Sequence, residues 1–121
     1  MLNHCIIMGR LTEDPTLRTT QSGKSVTSFT VAVDRDYGEN KETDFIACTA
    51  WGGTAEFITK WFHRGSMAIV VGRLQSRKWK DKNGNNRTEW EIQTSSIHFG
   101  EAKRSEPEGI HEITDEEDIP F

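Results

Sequence analysis

The segment SMAIVVGRLQSRKWK at residues 66–80 and the segment RTEWEIQTSSIHF at residues 87–99 flank DKNGN at 81–85. Each long segment reads as a strand. The Asn83-Gly84 pair between them supplies the positive φ angles that a tight hairpin turn requires. A long, protruding β-hairpin is the expectation.

Upstream of this hairpin, Thr54 to Arg64 places Phe57, Ile58, Trp61 and Phe62 at helical spacing, with Thr54 positioned as an N-cap and Gly65 as a C′ residue. Three strands precede that helix. Leu2 to Leu11 is rich in Ile and ends at the Thr12-Glu-Asp-Pro15 turn signal. Val26 to Arg35 carries Phe29, Val31 and Val33 on one face at period two. Asp44 to Trp51 alternates Ile46, Cys48 and Ala50 against Phe45, Ala47, Thr49 and Trp51, and residues around Gly38 form a loop between the two. Three strands, one helix and two strands match an all-β fold, the five-stranded OB-fold Greek-key barrel with a helix between its third and fourth strands.

A chain of 121 residues is long enough for one core of this size and too short for two ordinary domains. Its net charge of −4 hides an asymmetry. Seven of the 19 acids lie in residues 105–121, where neither Lys nor Arg occurs, leaving 15 basic against 12 acidic side chains in residues 1–104, a net of +3. Beyond residue 101 no hydrophobic period survives, so the segment cannot bury enough surface to offset its ordering entropy. The expected organisation is a barrel domain at 1–102, a short disordered linker at 103–114 and an acidic tip at 115–121.

No stretch near Met1 resembles a signal peptide or a membrane span, which predicts a cytoplasmic protein without a membrane partner. Cys5 and Cys48 each sit in an apolar β-like run, where a thiol behaves as a small buried hydrophobe. The histidines His4, His63, His98 and His111 lack metal-ligand spacing, and neither a phosphate loop nor a nucleophile motif is present. Neither a cofactor, a metal nor an enzymatic activity is expected.

Binding of single-stranded nucleic acid without sequence preference needs flat π-faces for bases and cations along the backbone path. Arg73-Leu-Gln-Ser-Arg77-Lys78-Trp79-Lys80 sets four cations around one Trp on a strand that leads into the hairpin tip. The alternative is a charged edge strand with Trp79 packed by chance. Phe45 and Trp51 share the face opposite Ile46 and Cys48, as base platforms or as a second buried layer or subunit interface. Tyr37, beside Arg35, could hang over a groove. Trp61 and Phe62 read as core residues that close one end of the barrel, and Trp90 is read the same way. At the C-terminus, Asp115-Glu116-Glu117-Asp118 precedes Ile119-Pro120-Phe121, whose apolar anchor and carboxylate suit a basic pocket on a partner protein.

These residues resemble the bacterial single-stranded DNA-binding proteins, also found on phages and mobile elements, from Met1 to Phe121. The resemblance is carried by Met1-Leu-Asn3, Gly9-Arg-Leu-Thr-Glu-Asp-Pro15, Phe29-Thr-Val-Ala-Val33, Gly72-Arg-Leu74, Arg77-Lys-Trp79 and, most specifically, Asp118-Ile-Pro-Phe121. It implies base stacking at Tyr37, Phe45, Trp51 and Trp79 and phosphate contacts at Arg18, Arg64, Arg77 and Lys78. It also implies a homotetramer, with replication, recombination and repair proteins recruited through the tip. Two departures from the resemblance stand out: cations that relatives often carry near Ile46-Ala47 and Gly52-Gly53 are missing, and the linker is short and lacks a Gly/Gln/Pro-rich stretch.

Overall fold

The computed structural model describes residues 1–36, 39 and 41–101. In chain order its elements are β1 (Cys5–Leu11), β2 (Arg18–Thr19), β3 (Ser25–Asp34), β4 (Thr43–Trp51), α1 (Gly52–Trp61), β5 (Met67–Lys80) and β6 (Asn86–Phe99). β1 pairs with β5, β5 with β6, β6 with β4, β4 with β3, and β3 with β1. The ring is therefore closed, and every pairing in it is antiparallel except the short parallel contact of β4 with β6. Closure removes the unpaired sheet edges that would otherwise template aggregation. With the helix between the third and fourth long strands, this is the expected OB-fold barrel.

One element was not foreseen. The two-residue β2 adds to the margin of β3 through Arg18↔Val26 and Thr19↔Ser25, bringing the sheet to six strands and making α1 follow the fourth. At the other end of β1, residues 2–4 stand outside the strand. Asn3 replaces the ladder there with its side chain: its Nδ2 donates to the Leu74 carbonyl at 2.8 Å and its Oδ1 accepts from the Leu74 N–H at 2.9 Å.

Period-two alternation sends one set of side chains inward. Phe29, Val31, Cys48, Ala50, Val70 and Ile92 are buried in the barrel, and Ala55, Ile58 and Phe62 of the helical segment close one end of it. Phe62 stacks on Phe99, with centroids 4.6 Å apart and planes 10° from parallel. The strands approach closely at Gly9, where an added Cβ would lie 2.2 Å from the Ala32 carbonyl oxygen. Both cysteines are free, and burial pushes the Cys48 thiol up to about 12.

The helix caps differ from the expected ones. Trp51, not Thr54, is the N-cap, and no side chain caps the helix, because Gly52 at φ +61 turns the chain directly from strand into helix. The helix ends with Phe62 as C-cap, its N–H bonded to the Ile58 carbonyl at 2.9 Å. Gly65, at φ +88, is not the C′ residue; it sits in the next turn and donates its N–H to the Leu11 carbonyl at 2.8 Å.

The hairpin tip also departs from the expected turn. Gly84 takes a positive φ of +81, while Asn83 does not. Asp81 accepts the Gly84 N–H on its carbonyl at 3.0 Å and caps the Asn83 and Asn85 N–H groups with Oδ1, both at 2.9 Å. A five-residue loop organised by one aspartate replaces the two-residue turn.

Candidate nucleic-acid interface

The outer face of the barrel is built around β4. Because Ile46, Cys48 and Ala50 turn inward, Phe45 and Trp51 turn outward, 69% and 47% exposed. Opposite Phe45 in the register stands Ala32, a residue too small to cover the ring. Trp51 lies opposite Val26, which in turn lies opposite Arg18 on β2. Arg18, Val26 and Trp51 thus form one row across three strands, with an aromatic ring at one end and a guanidinium at the other.

From β4 the face continues onto the hairpin. Thr49 pairs with Gln93, and from Gln93 toward the tip every second residue of β6, Glu91, Glu89 and Arg87, shares the outer face. Their partners on β5 are Arg73, Gln75, Arg77 and Trp79. Trp51, Arg77 and Trp79 therefore lie on one continuous surface, with Trp79 42% exposed. Ala47, Thr49, Arg77, Glu89, Trp90 and Glu91 border an open groove between β4 and the base of the hairpin.

Trp90 is not part of the core. Its spacing from Ile92 puts it on the inward-turned set of β6, but the hairpin has left the barrel by that point and the ring is 59% exposed. Lys78 shares this second hairpin face, since Lys78 pairs with Thr88 and Trp90 with Ser76. Adjacent residues in a strand point oppositely, so Arg77 and Lys78 serve different faces. Trp61 is likewise at the barrel surface, 36% exposed, whereas Phe62 is fully buried as expected.

Arg64 sits in the loop between α1 and β5, where its N–H bonds Asp14 Oδ1 at 2.7 Å; the neighbouring Glu13 borders the groove. Tyr37 and the tip residues 115–121 lie outside the described residues.

Carboxylates are interleaved with the cations. Arg77 Nη2 lies 2.8 Å from Glu89 Oε2, and this hydrogen bond, with the charges of Glu89 and Glu91, raises the arginine pKa. At the far end of β3, Arg35 meets Asp44 at 2.8 Å and Glu42 at 3.0 Å; its hydrogen bond holds the Asp44 carboxyl below the usual carboxylate range. Arg87 pairs with Asp81 at 3.0 Å beside the tip. Arg35, Arg77 and Arg87 are therefore each already paired with an acid.

A closed OB barrel with exposed rings and arginines on one face is suited to unstacked bases and their phosphates. The model of the Single-strand binding protein family matches residues 2–100. The chain belongs to this family. A single-stranded DNA-binding protein of Staphylococcus aureus (strain MRSA252) is 47% identical over 109 residues, which span 87% of this chain and 69% of that protein. Single-stranded DNA-binding protein 2 of Listeria monocytogenes (strain ATCC BAA-679 / EGD-e) is 41% identical over 113 residues, spanning 90% of this chain and 70% of the relative. Single-stranded DNA-binding protein A of Bacillus subtilis (strain 168) is 42% identical over 107 residues, spanning 85% and 62% respectively.

As a member of the single-strand binding protein family, the chain carries its matched region on the barrel and ends that match one residue beyond β6. The placement of three side chains was not legible in the sequence. The exposure of Trp90 was masked by its sharing a period with buried Ile92. Gln93 and Glu91 had no local signal at all, since only the parallel β4–β6 pairing brings them beside Trp51 and Thr49. Among the described residues, no helix is long and apolar enough to cross a membrane.

Proposed function

We propose that this protein binds single-stranded DNA without sequence preference and without catalysing a reaction. The single observation that carries this reading is the continuous outer face on which Trp51, Arg77 and Trp79 stand together, two half-exposed rings around a guanidinium. Bases stack on Phe45, Trp51 and Trp79, with Tyr37 as a further platform. Phosphates run past Arg18, Arg64, Arg77 and, on the second hairpin face, Lys78. Aromatic faces accept any base, which is why the binding is sequence-tolerant.

In the same reading, residues 1–102 are the binding domain, residues 103–114 a linker, and Asp115 to Phe121 an acidic tip that recruits replication, recombination and repair proteins in the cytoplasm, at the nucleoid. The barrel assembles as a homotetramer. Support for assembly comes from Ile6, Met8 and Leu74, large apolar side chains left exposed on β1 and β5 of the single chain.

The test is a titration of the purified protein with poly(dT), followed by tryptophan emission and accompanied by molar mass from light scattering. Quenching with a mass four times that of the chain is the expected result. Unquenched emission would remove the rings from the interface, and a monomeric mass would remove the tetramer.

A further inference from the structure

Trp51 stands at the end of a run of side-chain hydrogen bonds. Its indole Nε1–H donates to Gln93 Oε1 at 3.2 Å, Gln93 Nε2 donates to Glu91 Oε1 at 3.2 Å, and Thr49 donates its hydroxyl to the other carboxylate oxygen of Glu91. Thr49 and Trp51 are two apart on β4, and Glu91 and Gln93 are two apart on β6, with Thr49 in register with Gln93, so the three bonds string the four side chains into one slanted chain across the parallel strand pair.

Chemistry fixes the direction of this chain. An ionised carboxylate only accepts and an indole nitrogen only donates, so the Gln93 amide has one orientation that serves both neighbours. The ring at one end is 47% exposed, and its backbone is held where β4 passes into α1. An exposed ring without such a bond samples several rotamers and must be ordered when a base stacks on it.

We propose that Gln93, oriented by Glu91 and Thr49, is a positioning residue that sets the plane of Trp51 for base stacking. The proposal rests on the reading of Trp51 as a stacking platform. Gln93 contributes no base contact of its own; it orders the ring before DNA arrives, so its loss weakens binding through Trp51 alone.

The test is a double-mutant cycle on the full chain, read by oligo(dT) affinity. Gln93→Leu keeps bulk and removes the acceptor; Gln93→Thr is a second, strand-compatible replacement should the first misfold. The other arm is Trp51→Phe, which keeps a stacking ring but has no indole N–H. Gln93→Leu is expected to weaken oligo(dT) binding about threefold to tenfold in the Trp51 background, the range expected for one hydrogen bond that orders one side chain. In the Trp51→Phe background it is expected to change nothing. Solvent exchange of the Trp51 indole N–H, followed by NMR, should accelerate in Gln93→Leu while the melting temperature stays within a few degrees, a signature that a purely structural role does not produce.

Equal weakening in both backgrounds would overturn the proposal, because Gln93 would then act on DNA directly or through the fold. Unchanged affinity in the Trp51 background would overturn it too. Trp51→Ala separates the two levels: if that substitution leaves oligo(dT) affinity intact, stacking at Trp51 itself fails; if it weakens binding while the cycle is additive, only the positioning role of Gln93 fails.

Discussion

Arg77 and Glu89 stand directly opposite each other across the β5–β6 hairpin, their guanidinium and carboxylate 2.8 Å apart on the outer face of the barrel. Both are largely exposed, so the pair adds little to stability. Its consequence is for binding: a phosphate that reaches Arg77 must displace a carboxylate already there. Glu89→Gln is therefore expected to tighten oligo(dT) binding at low salt. It should also steepen the dependence of log K on log salt by up to about 0.7, the increment for one single-strand phosphate contact. Titrations at several salt concentrations measure both. An unchanged slope with unchanged affinity would show that Arg77 does not meet a phosphate.

Trp79 lies on the same face as Arg77 and pairs with Arg87 near the tip, away from the barrel core. Removal of its ring should leave folding intact. Trp79→Ala is expected to reduce oligo(dT) affinity by about 1–3 kcal/mol, the cost of one lost base stack. Circular dichroism establishes the fold of the variant, and fluorescence titration reads the affinity. Retained affinity would take Trp79 out of the interface.

Cys48 gives the fold a defined alkaline sensitivity. Its thiol ionises near its ordinary value of 9.0 when the chain is unfolded and only at about 12 in the barrel, chiefly because burial disfavours the thiolate and secondarily because Glu91 is near. Between these values the unfolded chain releases a proton that the fold retains, so the stability carried by Cys48 is complete below pH 9 and is lost as pH rises towards 12. In thermal melts, the wild-type protein should lose stability more steeply over that window than Cys48→Ala. Parallel profiles would contradict this assignment.

The terminal Ile119-Pro120-Phe121 follows four consecutive acids and lies beyond the residues matched by the family model. Deletion of these three residues is expected to leave oligo(dT) affinity within about twofold, since the role proposed for their apolar side chains is to meet a protein partner rather than a base. Pull-down of replication, recombination and repair proteins by the full chain should disappear with the deletion. Capture of the same proteins by the truncated chain would reassign the tip.

Much of the barrel is legible because strand alternation is strict where one face is buried. Phe29, Val31, Cys48 and Ala50 declare an inner face in β3 and β4, and by exclusion Phe45 and Trp51 an outer one. The same rule misleads at Trp90, where the period continues after the barrel that gave it meaning has ended. Capping rules favoured Thr54, yet the backbone freedom of Gly52 made a side-chain cap unnecessary. β2 is too short for any period to show, and the Trp51–Gln93 bond depends on a pairing between strands 42 residues apart in sequence. Contacts of that kind become visible only when the ring of strands is closed.

In the proposed function, rings and guanidinium groups on the outer face take up unpaired bases. The most direct measurement follows tryptophan emission of the folded full-length protein at low ionic strength, titrated in parallel with poly(dT) and with duplex DNA of matched length. The predicted result is strong quenching at a defined nucleotide stoichiometry with poly(dT), reversed by added salt, and little response to duplex. Equal affinity for the two DNAs, or emission that neither one alters, would contradict it.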